Sequence, residues 1–510
     1  MEVTPCPNPK PHFVVIPWPV TSHMIPMVDI GCLLAAHGAP VTIITPPSSA
    51  QLVQSRVDRA RAGHGRSAGI SITVTALPFP GAEAGLPEGC ERLDHVPSVD
   101  LVPNFFDANA QFGDAVARHC RRLLTHRRPS CIVAGMCNTW AHGVACELGA
   151  PCFIFHGFGA FALLCCEYLN THKPHEGKSL DELIDVPVLP PPFEFKFARR
   201  QLPLQFLPSC SIPEHRLREL REFEMAVDGI VVNSFEELEH DSAACLAAAT
   251  GKTVLAVGPV SLCGGGARAP PSLLDFWAAS SVDDDSRRCM AWLDAKKAES
   301  SSSVLYVSFG SAGRMPPAQL MQLGRALVSC SWPVLWVIKG ADTLPDDVSE
   351  WLQCNTDGGD GQCLAVRGWA PQVAILEHPA VGGFLTHCGW GSTLESVAAG
   401  VPMATWPFSA EQFLNEKLIV GVLGIGVSVG VTKPTEGVLT GAKDGGGAGK
   451  AKADVSMEQV KRALDMLMDG GADGEARRTK ATELKAKAKS ALEHGGSSYM
   501  NLEKLIQFAA

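Results

Sequence analysis

Short apolar runs alternate with amphipathic stretches along almost the whole chain. Phe13 to Trp18 is, apart from Pro17, β-branched and aromatic, the composition of a strand buried on both faces. A turn from Pro19 to Pro26 leads into a segment with Met27, Ile30, Leu33 and Leu34 on one helical face. Val41 to Ile44 reads as the next strand. The same rhythm predicts strands over 131–136, 227–235 and 254–259, a strand and turn over 151–158, and helices over 109–125 and 161–168. Glu236, Glu237 and Glu239 stand at a predicted helix start, where acids suit the helix dipole. Segment 187–213 is proline-rich and reads as loop. The second half repeats the order, with strands over 304–309, 334–338, 363–366, 380–386 and 401–406 and a helix from Pro316. Helices over 455–468 and 475–492 follow, and a Gly-Gly-Ser-Ser break at 495–498 precedes a terminal helix over 499–508. Strand, helix, strand, repeated in this way, predicts an α/β chain of parallel, doubly wound sheets.

Length turns this pattern into two units, because 510 residues exceed one ordinary core. The Gly/Ala/Pro-rich stretch after Ser261 marks the seam. The expected division is a first domain over 1–260, a linker over 261–300, a second domain over 301–494 and a C-terminal helix over 495–510. A Gly/Ala/Lys-rich stretch, 437–454, has no apolar period and reads as a surface insertion without chemistry. The net charge of −10 argues against nucleic acid as a partner, which needs a basic face. The opening MEVTPCPNPKPHF lacks a basic region followed by an apolar core, so it does not read as a secretory signal. The most apolar run, 148–166, contains Pro151, His156 and several glycines and reads as strand and core helix, not a membrane span. Eighteen scattered cysteines show no zinc spacing, so reduced thiols in a cytoplasmic protein are the expectation.

The chemistry gathers in WAPQVAILEHPAVGGFLTHCGWGSTLESVAAGVPMATWPFSAEQ, Trp369 to Gln412. An apolar strand breaks at His387, Gly389, Trp390, Gly391 and Ser392, and a helix follows. Strand, glycine turn and helix start aim backbone N–H groups and the positive helix end at one point, which suits a phosphate. Ser392 reads as the N-cap and a phosphate donor, and His387 adds a ring N–H. Glu411 and Gln412, after the next strand, offer groups suited to sugar hydroxyls. Ser308 and Ser311 flank a glycine at another strand end and are further phosphate candidates. The first turn carries no GxGxxG, which weakens a nicotinamide oxidoreductase; it offers His23 at the carboxyl end of a strand, where such folds place ligands. Trp140, His156 and Phe158 are candidates to line an apolar acceptor pocket.

The box resembles the signature of plant family 1 UDP-dependent glycosyltransferases, and Cys289-x-x-Trp292-Leu293 and the His23-Met-Ile-Pro26 turn extend the likeness to nearly the whole chain. The resemblance implies two Rossmann-like domains facing across a cleft (GT-B type), with the last helix crossing back onto the first. It implies a monomer that transfers glucose from UDP-glucose, with inversion and without a cofactor, to a hydroxyl of a small hydrophobic acceptor, phenolic or flavonoid-like or terpenoid; no acidic pair stands at a strand end to hold a metal, so none is expected. Trp369 would stack on uracil, worth roughly 1–3 kcal/mol. Glu395 would hold the ribose, His387 and Ser392 the phosphates, and Glu411 and Gln412 the sugar. Ala370, Gln372, Trp390 and Gly391 complete the donor set, and His23 would be the general base. Two positions depart from the pattern. Gly391 stands where an Asn is usual, and Gly135 where an Asp should orient the base. Another carboxylate (Asp94, Asp100 or Asp107) could serve His23, an acidic acceptor such as a phenol could need little help, or the chain could bind UDP-sugar and transfer little. Attack by carbon, giving a C-glycoside, also stays open.

Overall fold

A computed structural model describes residues 10–63, 71–125, 127–208, 210, 212–264, 281–300, 302–310, 314–341, 344–356, 361–435 and 453–510. The expected surface insertion and Ser311 therefore lie wholly or largely outside the described residues. In chain order the strands are β1 Phe13–Ile16, β2 Val41–Thr45, β3 Ile72–Ala76, β4 Cys131–Gly135, β5 Cys152–Phe155, β6 Leu183–Asp185, β7 Lys196–Ala198, β8 Gly229–Val232 and β9 Thr253–Ala256. The second half adds β10 Val304–Ser308, β11 Val334–Ile338, β12 Cys363–Arg367, β13 Val381–Thr386, β14 Met403–Thr405 and β15 Gly426–Ser428. The first sheet runs β3-β2-β1-β4-β5-β8-β9, the second β12-β11-β10-β13-β14-β15, and β6 and β7 form a small antiparallel hairpin. All pairings in the two large sheets are parallel. Strand order reverses between β1 and β4 and again between β10 and β13, and such points open a crevice at the strands' carboxyl ends.

Alternation along the strands explains the layers. Val14, Ile16, Ile132 and Ala134 join one buried cluster with Phe105, Phe112 and Phe161 from helices Val102–Leu123 and Ala160–His172. Phe13, Val15, Cys131, Val133 and Phe153 join the other, with Met27 and Ile30 of helix Thr21–Ala36. The same cluster takes Leu502 and Leu505 of the terminal helix Ser497–Phe508. That helix is fastened to the first domain by Ser498 Oγ donating to Gly258 O and Asn501 Nδ2 to Ala256 O. Phe508 meets the Phe153 ring edge-on at 5.1 Å.

Several boundaries differ from the sequence expectation for local reasons. The Pro19–Pro26 turn is helical from Thr21 onward, so His23 sits in the first helical turn. Pro26 cannot supply the N–H that would bond the Ser22 carbonyl, and burial of Met24, Met27 and Val28 holds the helix across it. Helix Val102–Leu123 begins before Asn109 because Pro103 falls at its start, where a missing N–H costs nothing. Within the expected linker, Ser281–Glu299 is a helix whose Cys289 and Leu293 are buried, and Trp292 Nε1 donates to Gly361 O of the second half. Helices Met457–Met468 and Ala472–Leu492 fall close to their expected positions, the first closed by a capping box between Ser456 and Gln459. Glu239 does more than face a helix dipole. It is buried and accepts from Ala160 N, Phe161 N and Ser234 Oγ, tying helix Ala160–His172 to β8. Desolvation raises its pKa, and those three donors oppose the rise.

Candidate active site

Strand β13 ends at Thr386, and the chain turns through Cys388, whose φ of 64° is held by its N–H to Thr386 Oγ1 at 3.3 Å. Gly389, not Ser392, is the N-cap of helix Trp390–Ala399. Ser392 lies one turn in, and its hydroxyl accepts from Gln372 Nε2 at 2.9 Å. The His387 ring fits a glycine cradle: a Cβ on Gly310 would stand 2.6 Å from its Cε1, and one on Gly389 2.4 Å from its Nε2. Desolvation lowers its pKa to about 4, so at neutral pH it is an uncharged ring with one N–H to give. Its Nδ1 is buried without a partner, as are Thr393 Oγ1, Ser409 Oγ and Asn415 Oδ1 further along the chain. Ser308 stands at the end of β10, in register with Thr386.

Gln372 joins a second group of polar side chains. It bonds Ser392 and Glu395 Oε2 at 2.8 Å and accepts from Tyr306 OH at 3.3 Å. Glu395 has its pKa raised by burial; the Gln372 bond and the charge of Arg56 oppose that. Arg56 belongs to the first domain, where it grips Asp29 through bonds of 2.8 and 2.5 Å. Trp369 is half-buried after Gly368, and Ala370 is buried next to it. Glu411 is buried, accepts from Trp390 N and Asn415 Nδ2 at 3.4 Å each, and has its pKa pushed up to about 7 by desolvation. Gln412 spends its carbonyl oxygen on Phe408 N and Ser409 N, holding the loop before it. Gly391 is exposed with nothing within 4 Å of a would-be Cβ.

Trp390 is placed differently from its neighbours in the box. Its indole crosses to the first domain, donating to Asn233 O at 2.7 Å and packing on Gly159, where a Cβ would stand 2.8 Å from the ring. It joins the domains and offers its main chain, not its ring, to the Glu411 carboxylate.

On the first domain His23 is half-buried, and desolvation lowers its pKa to about 4. Its Nε2 donates to the His156 carbonyl at 2.9 Å, and the Trp18 ring meets it edge-on at 5.3 Å. None of the three aspartates considered from sequence is bonded to it. Asp94 accepts from Thr21 Oγ1 and Arg92, Asp107 pairs with Arg216, and Asp100 accepts from Ser98. Gly135 has no vacant space either: a Cβ there would lie 2.6 Å from Trp18 N and 2.9 Å from Trp18 Cβ. His156 is buried, its pKa held at about 3 by desolvation and the neighbouring His23, with Nδ1 3.8 Å from Glu224 Oε1. Trp140 donates to Asn109 O at 2.9 Å and packs on Gly113, while Phe158 is half-buried against the core. Beside them a small pocket is lined by Phe106, Asn109, Cys137, Thr139 and Arg216, and Asn109 Oδ1 is buried without a partner. Sequence reasoning missed Trp18, Gly157, Asn233 and Asn415. Only Asn415 carried a signal, standing three residues after Gln412 on one helix.

Two Rossmann-like domains, with a glycine turn bearing His387 at one switch point and a helix start bearing His23 at the other, are the architecture of two-domain nucleotide-sugar transferases. Comparison with known proteins makes the class specific, and the chain belongs to the UDP-glycosyltransferase family. The family described as "UDP-glucoronosyl and UDP-glucosyl transferase" matches residues 281–443. UDP-glycosyltransferase 73D1 of Arabidopsis thaliana is 39% identical over 97% of this chain and 96% of its own. UDP-glycosyltransferase 73E1 of Stevia rebaudiana is 38% identical over the same shares. The crystal structure of Glycyrrhiza uralensis UGT73P12, complexed with glycyrrhetinic acid 3-O-monoglucuronide, matches with a TM-score of 0.81 and 32% identity, covering 98% of this chain and 96% of that one. A Polygonum tinctorium UDP-glucosyltransferase capable of glucosylating indoxyl, bound to 3,4-dichloroaniline, matches at 0.71 and 27% over 98% and 99%. Among the described residues no helix is long and apolar enough to cross a membrane.

Proposed function

We propose that the protein transfers glucose from UDP-glucose to a hydroxyl of a small hydrophobic acceptor, a phenol in preference to an aliphatic alcohol, with inversion at the anomeric carbon. The observation that carries this is the pairing of a neutral imidazole, His23, with the glycine turn before helix Trp390–Ala399, where His387 Nδ1 is buried without a partner. In this reading Trp369 stacks on uracil, Ala370 and Gln372 frame the nucleoside, and Glu395 takes the ribose. His387, Ser392 and Ser308, with the start of helix Trp390–Ala399, meet the charge that grows on the departing phosphate. Glu411 and Gln412 hold the sugar. A Gln closing the box is usual in this family where the sugar is glucose, and the Polygonum relative that glucosylates indoxyl supports the same donor. The leaving charge is met by protein dipoles and rings, so the reaction calls for no metal or cofactor, and the protein works as a cytoplasmic monomer.

The depressed His23 pKa supports the acceptor class. An imidazole that holds a proton weakly is a poor match for an aliphatic hydroxyl and a better one for a phenol, whose pKa is near 10. Incubation with UDP-glucose and a phenol, followed by proton NMR of the product's anomeric centre, tests the proposal. A β-O-glucoside supports it; an α-linkage or a carbon-linked product rejects it. A second reading, a UDP-sugar binder with little transfer, draws on the filled space beside Gly135. It requires UDP binding with no product from any acceptor.

A further inference from the structure

The base of this site has no carboxylate partner among the described groups bonded to it, yet its ring is firmly placed. His23 Nε2 lies 2.9 Å from the His156 carbonyl oxygen, which only accepts, so the hydrogen is on Nε2 and the lone pair on Nδ1. The next residue makes that contact possible. Gly157 has φ of 78°, and a Cβ on it would stand 2.7 Å from His23 Nε2 and 2.9 Å from Cδ2. Both the backbone conformation and the ring's approach therefore call for glycine. On another side the Trp18 indole meets the ring at an interplanar angle of 87°. Trp18's main chain meanwhile fills the space beside Gly135. Nδ1 points the other way, with the hydroxyl of exposed Ser22 at 3.4 Å.

We propose that the His156–Gly157 peptide replaces the carboxylate partner of the base: the His156 carbonyl locks His23 as the Nε2–H tautomer, Gly157 is the positioning residue that admits the ring, and Nδ1 takes the acceptor's proton. The inference rests on the reading of His23 as the general base. In the step itself the acceptor oxygen forms a bond to the anomeric carbon, and the bond from that carbon to the β-phosphate oxygen breaks. UDP leaves with the electron pair, and the acceptor's proton moves to Nδ1. A peptide carbonyl orients the ring as a carboxylate would, but it brings no full negative charge to the imidazolium that forms. The device therefore works best with an acceptor that gives up its proton readily.

The test is the histidine tautomer, read from two-bond proton–nitrogen spectra of the full chain labelled with 15N-histidine, with His23→Asn to assign the signal. The expected result is a pyrrole-type Nε2 and a pyridine-type Nδ1 on His23 at neutral pH. Gly157→Ala should mix the two forms and lower kcat for a phenol by about 10²-fold, the usual cost of misplacing a reacting group by an ångström, with KM for UDP-glucose unchanged. A protonated Nδ1 in the natural protein overturns the proposal, and so does a folded Gly157→Ala protein with unchanged tautomer and kcat. If that variant does not fold, the natural protein's spectrum decides alone. The spectrum needs no turnover, so a chain that transfers nothing would reject the function while the tautomer still decides the placement of the ring.

Discussion

Placing aspartate at Gly135 looks like a repair, and the structure says it is not one. The Cβ of any side chain there would stand 2.6 Å from Trp18 N and 2.9 Å from Trp18 Cβ, closer than real Cβ contacts. Trp18 is 8% exposed and follows β1, so its backbone cannot withdraw without disturbing the strand beside β4. Overpacking of this kind costs about 1–3 kcal/mol. A carboxyl group buried there in its neutral form adds roughly another 1–3 kcal/mol where its polar atoms go unpaired. Together that is about 2–6 kcal/mol, which at about 2–4 °C per kcal/mol for a domain of this size lowers Tm by on the order of 10 °C. Gly135→Asp should therefore lose stability and gain no rate. Differential scanning fluorimetry and single-acceptor kinetics, run on both proteins, check this together. An unchanged Tm with a faster rate would mean that Trp18 moves aside, and the account of the base would be wrong.

Gly391→Asn is the opposite case, since nothing lies within 4 Å of the new Cβ. It should fold with equal or better stability, because Gly is poor inside a helix, and should tighten UDP-glucose binding in calorimetry. Trp369→Ala should weaken UDP binding by about 1–3 kcal/mol, roughly 5- to 150-fold, through loss of base stacking. Trp390→Phe removes the interdomain bond to Asn233 O and should cost about 1–3 kcal/mol of stability, with UDP affinity little changed. For Glu411 the sign follows from its pKa of about 7, raised by desolvation. Sugar hydroxyls that donate to the carboxylate favour its charged form, so UDP-glucose binding below about pH 7 should release a proton that UDP binding does not. Calorimetry in buffers of different ionisation enthalpy reads this, and equal proton release for the two ligands would remove Glu411 from the sugar.

The sheets were legible in the sequence because parallel strands buried on both faces read as unbroken apolar runs, as β13 does from Val381 to Thr386. Helix starts were less so. One reads as a turn as far as Pro26 and another as starting only at Asn109, while burial of Met24 and Met27 carries the first helix across proline and Pro103 stands at the start of the second, where proline is tolerated. In the candidate site, the turn from His387 to Ser392 was legible since a glycine turn between strand and helix is a local pattern. The N-cap was not: the helix is capped by Gly389, and Ser392, one turn in, is bonded by Gln372 from a different helix. Trp390 looked like a site residue from its place in the box, but a chain-distant carbonyl, Asn233 O, decides where its indole goes. The consequence of Gly135 was beyond sequence for the same reason. It depends on Trp18, which arrives from a strand more than a hundred residues earlier.

The most direct test of the central claim is mass-spectrometric detection of product after the protein is incubated with UDP-glucose and matched phenolic and aliphatic acceptors, alongside His23→Ala. The account predicts hexose adducts, mainly on the phenols, and a loss of about 10²–10⁴-fold in the variant, the usual contribution of a positioned general base. Adducts formed equally by His23→Ala, or none from a natural protein that binds UDP-glucose, would contradict it.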